Sequence, residues 1–196
     1  MKPLNHNETD EALVEQAKKG DLDAYDRLVC RYRERVYQTI FRFTRSHSDT
    51  DDLVQDTFLR AFQKLKSFRE KSGFYTWIYR IAVNLSLNFV KKMKRDLGGE
   101  EYDDRRLEGK HPAPSSPELA SMNLELSDKV TEAVEALPLP YRSSFILVAI
   151  QGMSHAEAAK VLDCAENTIS WRMHKARKML QARLRPYLKE LSDEMS

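Results

Sequence analysis

Residues 163–180 read DCAENTISWRMHKARKML, a short polar turn followed by apolar residues at helical spacing. With residues placed about every 100° around a helix, one narrow face is apolar: it holds Ile169, Met173, Ala176 and Leu180. The opposite face is polar, aromatic and cationic, with Ser170, Trp171, His174, Lys175 and Lys178, and with Arg172 and Arg177 at its edges. The pattern predicts a helix that buries one side and presents a basic surface rich in hydrogen-bond donors on the other.

The residues before this helix complete a helix-turn-helix pattern. Ser154 followed by Glu157 forms a capping box, which predicts a two-turn helix through Val161. The segment DCAEN is a tight connection, and Asn167 or Thr168 is expected to cap the second helix. Because the second helix of such a motif enters the major groove, the pattern predicts DNA binding. The alternative is a basic surface helix of an ordinary helical bundle.

The rest of the chain carries helix signals in series. Of 196 residues only 6 are Gly and 7 are Pro, and helix formers dominate, so we expect an all-α protein. A first helix is expected to end at Gly20, and N-caps are expected at Thr9, at Asp21 and at Asp49 or Thr50. After the break REKSG, residues 74–95 are predicted to form one long amphipathic helix.

Residues 96–117 have the composition of a flexible linker. They contain paired glycines, prolines and mixed charge, without apolar periodicity. The sequence therefore predicts two small helical domains, residues 8–95 and 118–190, joined by this linker. The second domain opens with apolar residues at helical spacing, namely Leu119, Met122, Leu126, Val130, Ala133 and Leu137. Gly152 is expected to end the buried helix that precedes the helix-turn-helix.

On the long helix of the first domain, one stripe recurs at spacings of three and four. It combines aromatic, cationic and amide side chains: Trp77, Arg80, Asn84, Asn88 and Lys91. Aromatic faces stack on unpaired bases, amides read base edges and cations follow phosphates, so the stripe suits single-stranded nucleic acid. The alternative is that Trp77 packs into the domain while the asparagines face water.

The preceding predicted helix begins with an acidic group, made of Asp51, Asp52, Gln55 and Asp56. Carboxylates in a first turn complement the helix dipole, which explains some of them. The dipole requires neither so many acids nor the Gln. A protein partner with a basic surface is the second interpretation.

Several classes of protein are not expected from this sequence. No stretch reaches the roughly 20 apolar residues that span a bilayer, and the N-terminus lacks an apolar signal core, so we expect a cytoplasmic protein without membrane insertion. Cys30 and Cys164 belong to no CxxC pair, so neither metal nor cofactor is expected. No HExxH, glycine-rich phosphate loop or nucleophile–base pair is present, and an enzyme is not expected. The enzymatic alternative is a nuclease that holds Mg²⁺ on the acids at residues 49–56.

Three stretches of this chain together resemble a known family. They are RLVCRYRERVY (residues 27–37), DDLVQDTFLRAFQKLKSFREKSGFYTWIYRIAVNLSLNFV (residues 51–90) and GMSHAEAAKVLDCAENTISWRMHKARKML (residues 152–180). In this order, and with the linker, they resemble the extracytoplasmic-function (ECF) sigma factors of the sigma-E type, small bacterial initiation factors of the sigma-70 class. The resemblance covers nearly all of residues 9–188.

The resemblance implies a transcription initiation factor that binds RNA polymerase core and directs it to promoters with −35 and −10 elements. It implies contacts with the β′ clamp helices, through Asp52, Gln55 and Asp56, and with the β flap. It assigns a base-capturing loop to Ser67, Phe68, Arg69 and Phe74, and the lining of the melted strand to Trp77, Arg80, Asn84, Asn88 and Lys91. It assigns reading of the −35 element to Asn167, Thr168, Ser170, Trp171, Arg172, His174, Lys175, Arg177 and Lys178. The linker would then thread toward the RNA exit path, and an anti-sigma factor is an expected partner.

The chain departs from the family pattern at one functional position. Family members often have a basic residue followed by Ser where this chain has Ser170 followed by Trp171. An indole there can contact a thymine methyl group or turn toward the protein, so the promoter sequence stays open. An operator-binding repressor or activator with the same helix-turn-helix is the alternative function.

Overall fold

A computed structural model of the chain describes residues 8–69, 73–96 and 129–194, with side chains through residue 187. All regular secondary structure in these ranges is helical, which confirms the all-α class. The chain divides into two compact units, Met1–Glu101 with Ala156–Asp163, and Tyr102–His155 with Cys164–Ser196. The predicted linker lies outside the described residues apart from Asp96.

The described residues up to Asp96 form four α-helices: α1 (Asp10–Lys18), α2 (Leu22–Thr44), α3 (His47–Lys64) and α4 (Phe74–Asp96), with a 3₁₀ turn at Leu65–Ser67. Two predicted caps are confirmed. The Thr9 side chain accepts a hydrogen bond from the Ala12 amide at 3.3 Å, and Asp21 accepts one from the Ala24 amide at 3.0 Å. Gly20 adopts φ +100°, which lets the chain reverse between α1 and α2.

The predicted cap of α3 is wrong, because α3 begins earlier than Asp49 or Thr50. Ser46 is the N-cap, and its hydroxyl accepts a hydrogen bond from the Asp49 amide at 3.3 Å. Arg45 closes α2 in the left-handed conformation at φ +57°, so the chain turns within two residues and re-enters a helix at His47. Thr50 is instead fully buried, where its hydroxyl hydrogen-bonds Thr44 at 2.7 Å.

Helices α2, α3 and α4 pack on one another around an apolar core. Its most buried side chains include Leu28, Val36, Ile40, Ala61, Ile78, Tyr79 and Val83. Burying each large apolar side chain contributes roughly 1.5–3 kcal/mol, so this core is the main stabilising term. Burial also raises the pKa of Tyr79 to about 12, so its hydroxyl stays neutral at physiological pH.

Helix α1 is held on α2 by charged hydrogen bonds as well as by apolar packing. Arg27 pairs with Glu8, and Arg31 pairs with Asp10. The Tyr32 hydroxyl donates to the other carboxylate oxygen of Asp10. Leu13 and Val14 are each 1% exposed beneath these pairs. The start of α1 is therefore fixed on α2 by three side-chain contacts.

The C-terminal part of the chain contains a helix at residues 129–135 (α5), α6 (Leu139–Phe145), a π-helical turn (Ile146–Ile150), α7 (His155–Leu162) and α8 (Glu166–Glu194). Gly152 has φ +71° just after the π-helical turn, which confirms the predicted stop. A buried cluster joins α5, α6 and α8: Ala133, Val134, Leu137, Tyr141, Ala176 and Leu180. Of the apolar residues predicted to open this domain, Ala133 and Leu137 are buried and Val130 is 38% exposed, while Leu119, Met122 and Leu126 lie outside the described residues.

Candidate nucleic-acid interface

The helix-turn-helix has a shorter connection than the sequence predicts. Helix α8 begins at Glu166, so Asn167 and Thr168 lie in its first turn and the prediction that one of them caps it is wrong. The backbone carbonyl of Ala165 accepts from the Thr168 amide at 2.9 Å and from the Ile169 amide at 3.3 Å. Asp163, at φ +52°, makes the sharp turn that permits this early start.

The two faces of α8 are those that the spacing predicts. Its apolar face is buried, with Ile169 and Ala176 at 0% exposure, Met173 at 1% and Leu180 at 8%. On the other side, Asn167, Ser170, Trp171, His174, Lys175, Arg177 and Lys178 are exposed, while Thr168 and Arg172 are half-buried. One continuous basic surface therefore runs along the first three turns of α8.

Trp171 is exposed on this surface and is also fixed by its neighbours. Half of the residue is exposed, and its ring lies 5.7 Å from the buried ring of Tyr141 at a tilt of 54°. The Lys175 ammonium lies 5.8 Å from the indole centroid, within range of a cation–π contact. The indole is thus neither free in solvent nor turned into the core, and it presents an apolar edge beside a cation.

One contact on this surface involves a residue that the sequence analysis did not assign to it. Nδ1 of His155, the first residue of α7, lies 2.9 Å from Oγ of Ser170, which also donates to the Glu166 carbonyl. His155 therefore orients Ser170 beside Trp171. The residues around His155 do not predict this contact, because its partner Ser170 lies 15 positions further along the chain.

On α4 the predicted stripe faces outward except at its first member. Arg80, Asn84, Asn88 and Lys91 are exposed on one face. Trp77 is half-buried, with its ring 4.6 Å from that of Phe68 and 5.7 Å from that of Phe74. Trp77 therefore belongs to an aromatic cluster, while Asn84, Asn88 and Lys91 face solvent. Arg80 is exposed and pairs with the Asp163 carboxylate at 3.3 Å.

The predicted base-capturing loop consists of an aromatic floor and polar edges. Phe68 and Phe74 are 6% and 3% exposed and meet edge to face, with centroids 6.2 Å apart. Ser67 and Arg69 are exposed, and the Ser67 hydroxyl donates to the Lys64 carbonyl at 2.8 Å. Residues 70–72, between these two groups, lie outside the described residues. The two phenylalanines therefore form the buried part of this site, while the exposed side chains can contact a nucleotide.

The acidic group on α3 lies beyond the first helical turn. Because α3 begins at His47, Asp52, Gln55 and Asp56 occupy its second and third turns, and Asp49 is the first-turn acid. The helix dipole acts within the first turn and does not explain them. All three side chains are exposed, and the same face continues into Leu59 and Phe62, at 51% and 43% exposure. An exposed apolar pair next to carboxylates is typical of a protein-binding surface.

Other site classes find no support in the described part of the chain. None of its helices is both long and apolar enough to cross a membrane. Nowhere in it do three or more His, Cys, Asp or Glu side chains gather as metal ligands do. Cys30 is exposed and Cys164 half-buried, and both are free thiols.

Comparison with known proteins decides the family. Sigma-70 region 2 matches residues 28–96, and Sigma-70, region 4 matches residues 127–180. The chain is 34% identical over 186 residues to the ECF RNA polymerase sigma-E factor of Salmonella typhimurium, covering 92% of this chain and 97% of that protein. The chain belongs to the ECF sigma factors. The prediction of a transcription initiation factor is thereby confirmed, and the repressor alternative is not favoured, because such a regulator has no use for a region 2.

Two solved structures have a similar fold. CnrH, in complex with the cytosolic domain of CnrY, superposes with a TM-score of 0.68 at 29% identity, covering 90% of this chain and 97% of that chain. The sigma factor RpoE of Bartonella quintana, in complex with the anti-sigma factor NepR, gives 0.63 at 25% identity, covering 82% and 96%. In this ECF sigma factor, α4 falls within region 2, and α7 with the start of α8 falls within region 4.

Proposed function

We propose that this sigma factor binds RNA polymerase core through α3, reads the −35 element with α8, and holds the melted −10 strand on α4 and the loop before it. The observation that carries the proposal is the outward-facing set on α4, whose amides and cations begin at a partly buried aromatic cluster. The bases of duplex DNA are stacked on one another and do not stack on such a surface, whereas unpaired bases stack on aromatic rings. This feature separates a promoter-melting factor from an ordinary helix-turn-helix protein.

The −10 site would work by binding unstacked bases more strongly than the paired duplex. A base taken out of the stack would lie above the buried pair Phe68 and Phe74, with Ser67 and Arg69 at its edges. Trp77 would stack beside it, and Arg80, Asn84, Asn88 and Lys91 would line the strand that follows. Each stacked base contributes about 1–3 kcal/mol, so a few such contacts offset the cost of opening the duplex.

The −35 site would use α8 in the major groove. Its first exposed residues face base edges, while Lys175, Arg177 and Lys178 are placed for phosphates. Since phosphate contacts release bound cations, binding is expected to weaken as the salt concentration rises. The β flap of the polymerase is proposed as the second protein contact of this domain.

The face of α3 made of Asp52, Gln55, Asp56, Leu59 and Phe62 is proposed to dock on the β′ clamp helices. The carboxylates would steer a basic partner, and the apolar pair would lose its water on docking. The chain supplies no catalytic group of its own in this mechanism, because core polymerase makes the phosphodiester bonds. It acts where polymerase and promoters are, which places it in the cytoplasm.

An anti-sigma factor is proposed as the regulator. CnrH and the Bartonella RpoE were each solved with a bound protein, CnrY and the anti-sigma factor NepR respectively. A partner that covers α3 or the −10 surface of this chain would block initiation without touching the DNA. Co-purification of a neighbouring gene product that inhibits transcription in vitro, and is relieved by excess sigma factor, tests this part.

The proposed function is tested by runoff transcription with purified core polymerase, with and without this chain, on a promoter library. Sequencing the transcripts locates the start sites. New starts that share two upstream elements are expected, and they would yield the −35 and −10 sequences. Operator binding by the free protein without any new start would overturn the proposal in favour of a repressor.

A further inference from the structure

We propose that the C-terminal end of α1 belongs to the DNA-binding surface, with Lys18 and Lys19 binding backbone phosphates beside the captured base. This inference rests on the proposed −10 function and extends it to a helix outside both the loop and α4. The residue pattern of α1 predicts no site there. The ligand is single-stranded DNA, recognised by its phosphates and without regard to base sequence.

The geometry begins at Phe68, which is layered between two other side chains. Its ring lies 4.6 Å from that of Trp77, and the Lys18 ammonium lies 5.6 Å from its centroid. Helix α1 contacts the 3₁₀ turn at Leu65–Ser67, just before this ring. The last turn of α1 is therefore part of the wall of the aromatic cluster on which the base is proposed to rest.

The described part of this wall carries several cationic side chains. Lys19, Lys66 and Arg69 are exposed around the half-buried Lys18. The Glu15 carboxylate accepts a hydrogen bond from the Lys18 ammonium at 2.9 Å. Asp21, two residues after Lys19, is engaged in capping α2 through the Ala24 amide. Among the described residues, Lys18, Lys19, Lys66 and Arg69 thus bring cations to this wall, and cations attract phosphate.

A captured base also places its phosphates within reach of this end of α1. A nucleotide whose base rests on the aromatic floor carries its own backbone past the rim of that floor. Lys18 and Lys19 end α1 at that rim, whereas the amides and cations of α4 extend away from it along the helix. The two sets of cations would thus hold the strand on either side of the captured base.

The test measures binding of the reconstituted holoenzyme to a promoter fork whose non-template strand is single-stranded from the −10 element onward. The fork carries the sequence obtained from runoff transcription, and fluorescence anisotropy gives the affinity at several salt concentrations. Each lost phosphate contact lowers the salt slope by about 0.7 and the affinity roughly fivefold at about 0.1 M salt. Lys19→Ala is expected to show one such loss, and Lys18→Ala with Lys19→Ala two.

Three variants separate phosphate binding from packing. Arg33→Ala removes an exposed cation of α2 and is expected to change neither affinity nor slope. Lys18→Arg with Lys19→Arg retains the charge and should restore both the affinity and the salt slope of the wild type. A purely structural role of Lys18 beneath Phe68 would weaken binding without lowering the salt slope. Neutral methylphosphonate linkages beside the captured base should weaken wild-type binding but leave the Lys18→Ala, Lys19→Ala variant unaffected.

The outcomes distinguish this inference from the function on which it rests. A normal salt slope in the double variant, together with weakened binding in Trp77→Ala, would overturn the role of α1 and leave the −10 site standing. If the wild-type holoenzyme does not bind the fork, both are wrong. The inference is supported if the alanine double variant has a lower salt slope than wild type and the arginine double variant restores that slope. Methylphosphonate linkages should then lower the salt slope of the wild type in the same way.

Discussion

At the residue scale, Trp171 is the residue of α8 at which the chain departs from the family pattern. Its indole is held between Tyr141 and Lys175 and keeps half its surface exposed, so we expect it to meet DNA as a preset apolar edge. Such an edge matches the methyl group of thymine in the major groove. We expect that replacing a thymine of the −35 element by deoxyuridine weakens wild-type binding about fourfold, since one buried carbon is worth about 0.8 kcal/mol. Trp171→Ser should remove this preference for the methyl group.

The matched control for Trp171 is Lys178→Ala, which removes an exposed cation from the same face of α8. It should weaken all −35 sequences alike, lower the salt slope, and keep the response to deoxyuridine. Competition binding of holoenzyme to paired thymine and deoxyuridine promoters measures both effects. An equal response to deoxyuridine in wild type and Trp171→Ser would show that the indole does not read the base.

Single residues also show which contacts can be predicted from the sequence and which cannot. Spacing alone was enough to place Ile169 and Met173 in the core, because a helix that packs on one side buries every third or fourth residue. Spacing could not place Trp77, since its partner Phe68 lies across a loop whose path the sequence does not fix. His155 was missed for the same reason. Contacts within one helix were predictable, and contacts between elements were not.

At the element scale, the start of α3 decides what its acidic face can do. Ser46 caps the helix, so Ser46→Ala should lower the stability of the N-terminal helices by about 1 kcal/mol. Urea unfolding in a Trp171→Phe background measures this, because Trp77 is then the one remaining tryptophan. Ser48→Ala, at an exposed position inside the same first turn, is the matched control and should cost much less. Equal losses in the two variants would contradict the assignment of the cap.

Element boundaries were the least predictable part of the fold. Asp49 and Thr50 are good cap residues, yet Arg45 in the left-handed conformation starts the helix earlier, and nothing in its residue type announces that. The same error occurred at α8, where Asp163 turns the chain before Asn167 can cap it. Each helix starts up to about one turn earlier than the sequence predicts. At α3 the earlier start places Asp52 and Asp56 beyond the first turn, away from the positive end of the helix dipole. That shift removes the purely local explanation for Asp52 and Asp56.

At the scale of the whole molecule, this sigma factor carries opposite charges on different helices. The acidic face of α3 offers nothing to DNA, and the basic faces of α4 and α8 would be repelled by an acidic partner. A chain with a net charge of only +2 can therefore bind nucleic acid and a basic protein surface together. The net charge alone does not predict this arrangement, whereas the positions of the charged residues along the chain do.

The division of charge predicts that core binding and DNA binding can be separated by mutation. Asp52→Lys with Asp56→Lys should abolish binding to core polymerase, because it sets like charges against the proposed basic partner. Glu11→Lys with Asp26→Lys makes the same change in charge at exposed positions on α1 and α2, and should leave binding intact. Affinity for core, measured with labelled sigma factor at physiological salt, tests both. If both double variants lose affinity alike, net charge is responsible and α3 is not the docking site. If neither double variant loses affinity for core, the carboxylates do not contribute to docking, and the apolar pair Leu59 and Phe62 alone, or another surface, must bind the polymerase.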